Sequence, residues 1–212
     1  KHQIIEKNPT LFVDMPKLHE KAIVRLDTDE VASLLDFVEH GGDELTGQKK
    51  VYYEKTKNRD LAIITLLLGT GIRVSECVGL DIQDVDFKNK LIHVRHAVSE
   101  VQGQMIYKST KTNKERTISV SSECINILRE HRKNYATGNY VFRSKWDVNK
   151  PQSPTSVRHS FDRIKEMTGI DRLTLQLLRH TSISILAQHN VDIRTIAQRA
   201  GHSDIQTTMR YM

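Results

Sequence analysis

Arg179 and His180 interrupt an apolar run made of Leu175, Leu178, Ile183, Ile185 and Leu186. Those five residues recur at helical spacing and give the segment a core-facing side, so a guanidinium planted there needs a partner for its charge. Downstream, Gly201-His202 stands at a helix junction, and Tyr211 closes the chain but for Met212. Far upstream, Arg73 follows Gly69-Thr70-Gly71, with Glu76 one helical turn later. A Lys-rich turn from Lys108 to Lys114 lies between, and Arg116 follows it. Arginine grips anions bidentately, histidine carries protons and tyrosine can attack as a nucleophile. Singly, each has an ordinary reading: Arg73 as a helix-end charge, Lys111 in a solvated turn, His202 satisfied at its junction, Tyr211 as packing. Glu76 suits orienting a guanidinium better than acting as a base, and His180 suits a supporting bond to backbone.

The elements that must position these residues follow from pattern. Asp27 or Thr28 caps a helix to about Val38 with Val31, Leu34, Leu35 and Val38 on one face. Gly41-Gly42 breaks it, and a polar loop runs to about Lys57. Asp60 to Leu68 is apolar all round and predicts a buried helix, ended by Gly69-Thr70-Gly71. Arg73 opens the next helix, with Cys77, Val78 and Leu80 inward. Strands are expected at Leu91–Val94, Met105–Tyr107 and Arg116–Val120, with a further one at Tyr140–Phe142. Ser121 caps a helix to about Tyr135. Another runs from Pro154 or Thr155 to Met167, exposing Arg158, His159, Arg163 and Lys165. Asp192 caps a helix carrying Ile193, Ile196, Ala197 and Ala200, which Gly201 ends in a left-handed cap. Ser203 with Gln206 reads as a capping box for a last helix bearing Tyr211 on its second turn. The fold class is mainly α with one small antiparallel sheet.

The order Arg179-His180-Thr181, Gly201-His202-Ser203, Thr207-Thr208 and Tyr211, with His202 and Tyr211 nine positions apart, resembles the C-terminal signature of the tyrosine recombinases, the phage-integrase family. Gly69 to Glu76 resembles that family's first-arginine box. Lys111 to Ile118 resembles its strand-turn-strand segment carrying a catalytic lysine. The resemblance covers nearly the whole chain from about Lys17. It implies the DNA breaking-rejoining catalytic-domain fold over residues 22–212. Residues 1–21, with Asn8-Pro9 and Met15-Pro16, read as a linker from an N-terminal core-binding domain outside this sequence.

The resemblance also implies a chemistry. Attack on a phosphodiester piles charge onto the non-bridging oxygens, which Arg73 and Arg179 would stabilise without metal or cofactor. Lys111 would protonate the leaving 5′ oxygen, Tyr211 would form a 3′-phosphotyrosyl link, and His202 would hydrogen-bond a phosphate oxygen. Lys108, Lys114, Arg116, Arg158 and Arg163 are expected on the DNA backbone. One position departs: the family usually has a histidine three residues before its second arginine, and here it is Gln176. An amide can donate to phosphate but cannot take a proton, so His202 or water is expected to handle the tyrosine proton.

Charge distribution fits a polyanion surface. Residues 1–100 hold 14 Lys and Arg against 17 Asp and Glu, whereas residues 101–212 hold 18 against 9. Cys77 and Cys124 have no metal-ligand spacing, and a reduced cytoplasmic setting is expected. The longest apolar run, Leu61 to Gly69, is far short of the roughly 20 residues a bilayer crossing needs. The expected partner is double-stranded DNA, bound by a homotetramer on two sites, with an accessory DNA-bending or excision factor. An integrase of a phage or mobile element is the leading reading. A chromosomal Xer-like resolvase, a topoisomerase-like nicking enzyme and a DNA-binding module with lost turnover stand beside it.

Overall fold

The computed structural model describes residues 13, 22–43, 45–109, 115–135 and 137–212. The expected linker, apart from Val13, lies outside them, as do Lys111 and Lys114.

Helix α2 (Gly47–Thr70) is the spine, packed by α1 (Thr28–His40), α4 (Ser122–Asn134) and α6 (Leu175–Gln188). Its second half supplies Ala62, Ile63, Ile64, Leu66 and Leu67, none more than 2% exposed. It begins far earlier than Asp60. Residues 47–57 lack an apolar stripe and lie mostly in solvent, so periodicity could not find them; Tyr53 alone is buried there, its hydroxyl donating to the Val38 carbonyl. Asp27 caps α1 in a full capping box with Glu30, worth about 1 kcal/mol. Ser121 caps α4 and Ser153 caps α5 (Pro154–Thr168).

The β structure differs from the expected single sheet. Strands β1 (Val85–Asp86), β2 (Leu91–Val94) and β5 (Arg116–Ser119) form one antiparallel sheet in the order β1-β2-β5. β3 (His96–Val101) and β4 (Gln104–Ser109) pair separately as a hairpin. Strand β5 therefore pairs with β2, Val94 opposite Arg116 and Ile92 opposite Ile118, rather than across the Lys-rich turn. Tyr140–Phe142 forms no strand; Tyr140 makes an isolated bridge with Asp81.

Helix α3 (Val74–Val78) follows α2 through Gly71, whose φ of 68° is the left-handed cap the sequence calls for. Helices α7 (Ile193–Ala200) and α8 (Ile205–Met209) end the chain, α7 capped by Asp192 and Gly201. Two expectations fail there. Asp204, not Ser203, caps α8 by accepting from the Gln206 amide, and Tyr211 lies just past the five-residue helix. On α6, Ile185 is 39% exposed while Leu177 takes the buried place.

Most buried apolar side chains form one core, from Leu26 through Ile72, Cys77 and Ile92 to Leu178. Ile183, Ile196 and Ala200 form a second, small cluster, against which Leu186, Val191 and Tyr211 pack. Among the described residues no helix is long and apolar enough to cross a membrane.

Candidate active site

Thr174 caps α6, and from that start Gln176, Arg179 and His180 fall on one face at spacings of three and four. That face lines a cavity of about 460 Å3. Arg73 enters it from the head of α3, His202 from the α7–α8 junction and Tyr211 from the chain end. Gln176 is exposed at the rim. A second groove of about 500 Å3, bounded by residues 22–24 and Arg210, adjoins the backs of Gln176, His180 and Tyr211.

Each arginine is oriented by an acceptor behind it. Arg179, 8% exposed, donates from Nη1 to the Gly71 carbonyl at 2.5 Å. Glu76 is 1% exposed and accepts from the Arg73 amide at 2.9 Å and from Arg73 Nη1 at 3.2 Å. The same carboxylate takes Arg116 Nη1 at 3.2 Å and Nη2 at 2.7 Å. Burial pushes the Glu76 carboxyl up, but the hydrogen bonds and charge of Arg116, then those of Arg73, outweigh it and hold it below the carboxylate range.

Arg116 is buried rather than exposed on the surface expected of a backbone contact. Strand alternation turns it inward beside Ile118, and it is 8% exposed. Its Nε donates to the Arg199 carbonyl at 3.0 Å, and its guanidinium lies under Gly201, where a Cβ would come within 2.9 Å. Gly201 is needed twice over, since its φ is 71°. Arg116 therefore ties the strand after the Lys-rich turn to Glu76 and to the turn that presents His202. Sequence reasoning missed this role, although the alternation of Arg116 and Ile118 with Thr117 and Ser119 carried the signal.

The electrostatics favour an anion. Burial, then the neighbouring Arg73 charge, lowers the Arg179 guanidinium to about 10. His202 is lowered to about 4 by burial and then by Arg179 and Arg73. It is therefore neutral near pH 7, with Nδ1 bonded to Thr208 Oγ1 at 2.8 Å and, among the described residues, no hydrogen bond to Nε2. Burial raises the Tyr211 hydroxyl, against the opposing pull of Arg179. Instead of the expected bond to backbone, the His180 Nδ1 hydrogen-bonds the Tyr211 hydroxyl, with the two rings stacked.

The remaining described candidates are not among the residues that line the cavity. Lys108 is exposed on β4, and Arg158 and Arg163 are exposed on α5, where Arg163 lies 4.1 Å above the Tyr52 ring. Lys111 and Lys114 fall outside the described residues.

The profile of the phage integrase family matches residues 24–212. The chain belongs to this family. It is 34% identical over 169 residues to a tyrosine recombinase of Agathobacter rectalis, covering 77% of this chain and 50% of that protein. It is 30% identical over 220 residues to tyrosine recombinase XerD of Yersinia pestis, covering all of this chain and 64% of that one. The chain thus spans half to two thirds of these relatives. Among solved structures, the Tn1549 transposon integrase in complex with transposon right end DNA superposes with a TM-score of 0.77 at 24% identity, covering 98% of this chain and 67% of that one. At that identity the likeness establishes the shared fold of mainly α-helical tyrosine recombinase catalytic domains with small antiparallel sheets.

Proposed function

We propose that residues 22–212 are the catalytic domain of a site-specific recombinase of a phage or mobile element, which cuts and rejoins double-stranded DNA through a 3′-phosphotyrosyl intermediate. What carries this reading is the convergence of Arg73, Arg179, His202 and Tyr211 on one cavity from separate stretches of chain. Two guanidiniums grip the non-bridging oxygens of the scissile phosphate and stabilise the charge that develops there. His202 Nε2 and the Gln176 amide add donors, Lys111 protonates the departing 5′ oxygen, and Tyr211 attacks phosphorus. Lys108, Lys114, Arg158 and Arg163 contact the duplex backbone. Four such subunits assemble on two DNA sites in the cytoplasm, with an accessory bending or excision factor setting direction. A chromosomal Xer-like resolvase is the second reading, favoured by the alignment of the full chain with XerD.

Incubation with a duplex nicked near the cleavage point traps the intermediate, because the short 5′ product diffuses away. The expected result is a protein-DNA adduct stable to denaturant, absent in Tyr211→Phe, which still binds DNA. An adduct that persists in the Phe variant contradicts the assignment. A protein that binds but forms no adduct is the impaired DNA-binding module instead.

A further inference from the structure

Gln176 leaves the site without a proton acceptor at the position where the family's histidine would stand, so the tyrosine hydroxyl needs another. Among the described residues, the hydrogen bond recorded for Tyr211 Oη is the one with His180 Nδ1. The two rings stack with centroids 5.6 Å apart and planes 30° from parallel. The other histidine of the cavity is differently placed: the His202 ring is centred 6.3 Å from that of Tyr211, and its Nδ1 is engaged by Thr208 Oγ1.

We propose that His180 is a catalytic residue, the general base that takes the Tyr211 hydroxyl proton during cleavage and returns it during rejoining. The inference rests on the recombinase reading above. In the forward step a bond forms between Tyr211 Oη and phosphorus, and the bond from phosphorus to the 5′ oxygen breaks. The phenolic proton passes to Nδ1 of a neutral His180 whose own proton is on Nε2. The departing oxygen takes a proton from the general acid, the role assigned to Lys111. On rejoining, the 5′ hydroxyl attacks phosphorus and gives its proton back to the group in the Lys111 role, the bond from phosphorus to Tyr211 Oη breaks, and protonated His180 returns its proton to the phenol. Because His180 directly follows Arg179 on α6, the same turn of helix that grips the phosphate also sets the base, and a shift of one moves the other.

The surroundings keep the acceptor form available. His180 is half-buried, and the charged and titratable groups facing it are Arg179 on its own helix, Arg210 and Tyr211 from the chain end and His202 from the α7–α8 junction. Burial and then the Arg179 and Arg210 charges lower its pKa, so the imidazole is neutral at pH 7. Burial raises the Tyr211 hydroxyl, so the phenol arrives protonated and does need a base.

The test is single-turnover adduct formation on a nicked duplex, with either an ordinary 5′ oxygen or a bridging 5′ sulfur at the cleavage point. Sulfur leaves without protonation, so it rescues loss of the general acid but not loss of the base. His180→Gln, which keeps a hydrogen-bonding side chain, is expected to slow cleavage about 100-fold at pH 7 on both substrates while DNA affinity is unchanged. Its rate should climb about tenfold per pH unit towards the tyrosine's own range, which burial places above that of a free phenol, whereas the parent levels off above the His180 titration. His180→Ala should regain cleavage on addition of free imidazole, a recovery no purely structural role produces. Cleavage by His180→Gln within about threefold of the parent, or its full rescue by sulfur, overturns the assignment. Absence of any adduct from the parent itself overturns the recombinase reading on which it stands, and is read separately.

Discussion

The arginines and the tyrosine of the cavity are held by two different kinds of packing. Arg73 and Arg179 stand on α3 and α6 where these join the main core: Ile72, Cys77, Val78 and Leu178 are all fully buried, and the carboxylate and carbonyl that orient the guanidiniums come from the same region. Tyr211 lies past a five-residue helix whose apolar support is the small cluster of Ile183, Ile196 and Ala200. Few buried contacts and short helices mean a low free energy of local opening, whereas the centre of the core opens only with global unfolding. The two arginines are therefore preorganised, and Tyr211 is carried on a part that can open by itself. Arg116 joins the two regions, bonded to Glu76 on one side and the Arg199 carbonyl on the other.

Breaking the rigid side should cost most. Glu76→Gln leaves Arg116 buried beside a neutral amide, and removing one partner of a buried ion pair costs about 3–5 kcal/mol. Denaturant unfolding should show that loss across the whole domain, and adduct formation should fall with it because Arg73 loses its orienting carboxylate. A variant as stable as the parent would mean that the buried pair does not hold the frame.

Acid should also strike the rigid side. His131 in α4 is 2% exposed; Nε2 donates to the Val141 carbonyl at 3.0 Å and Nδ1 is buried with no partner among the described residues. Burial lowers it to about 4. The unfolded chain binds this proton near 6.5 and the folded chain only near 4, so its contribution is complete above 6.5 and is lost as pH falls towards 4. The loss is on the order of 3 kcal/mol. Thermal melts of His131→Phe should be less sensitive to acid over that window; unchanged sensitivity would refute the assignment.

The lightly held side should respond locally. Ile196→Ala, in the small cluster, should cost about 2 kcal/mol, the low end for a core truncation because the site can collapse. Hydrogen exchange should accelerate in α7 and α8 while α2 stays protected. Equal acceleration in both would erase the distinction between the two regions.

The same contrast marks what the sequence made legible. Leu34, Val38, the Asp60–Leu68 run and the caps at Asp27, Ser121, Asp192 and Gly201 follow local rules, because burial on one face and unpaired helix-end amides leave a pattern in neighbouring residues. The motif residues Arg73, Gln176, Arg179, His202 and Tyr211 were legible as a set and line one cavity. Residues 47–57 were read as a loop because a helix mostly in solvent needs no apolar stripe. Arg116 was read as a surface charge because its neighbours are lysines, and its burial depends on a β2 register set by distant residues. The bond between His180 and Tyr211 joins positions 31 apart in sequence, and no local pattern encodes it.

The most direct measurement of the central claim is the chemistry of the trapped adduct. Digestion of the protein and DNA in the complex formed on a nicked duplex, followed by mass spectrometry of the modified peptide, should find a nucleotide joined through its 3′ phosphate to Tyr211. The free DNA end should carry a 5′ hydroxyl. Attachment to another residue, or through a 5′ phosphate, would contradict the account.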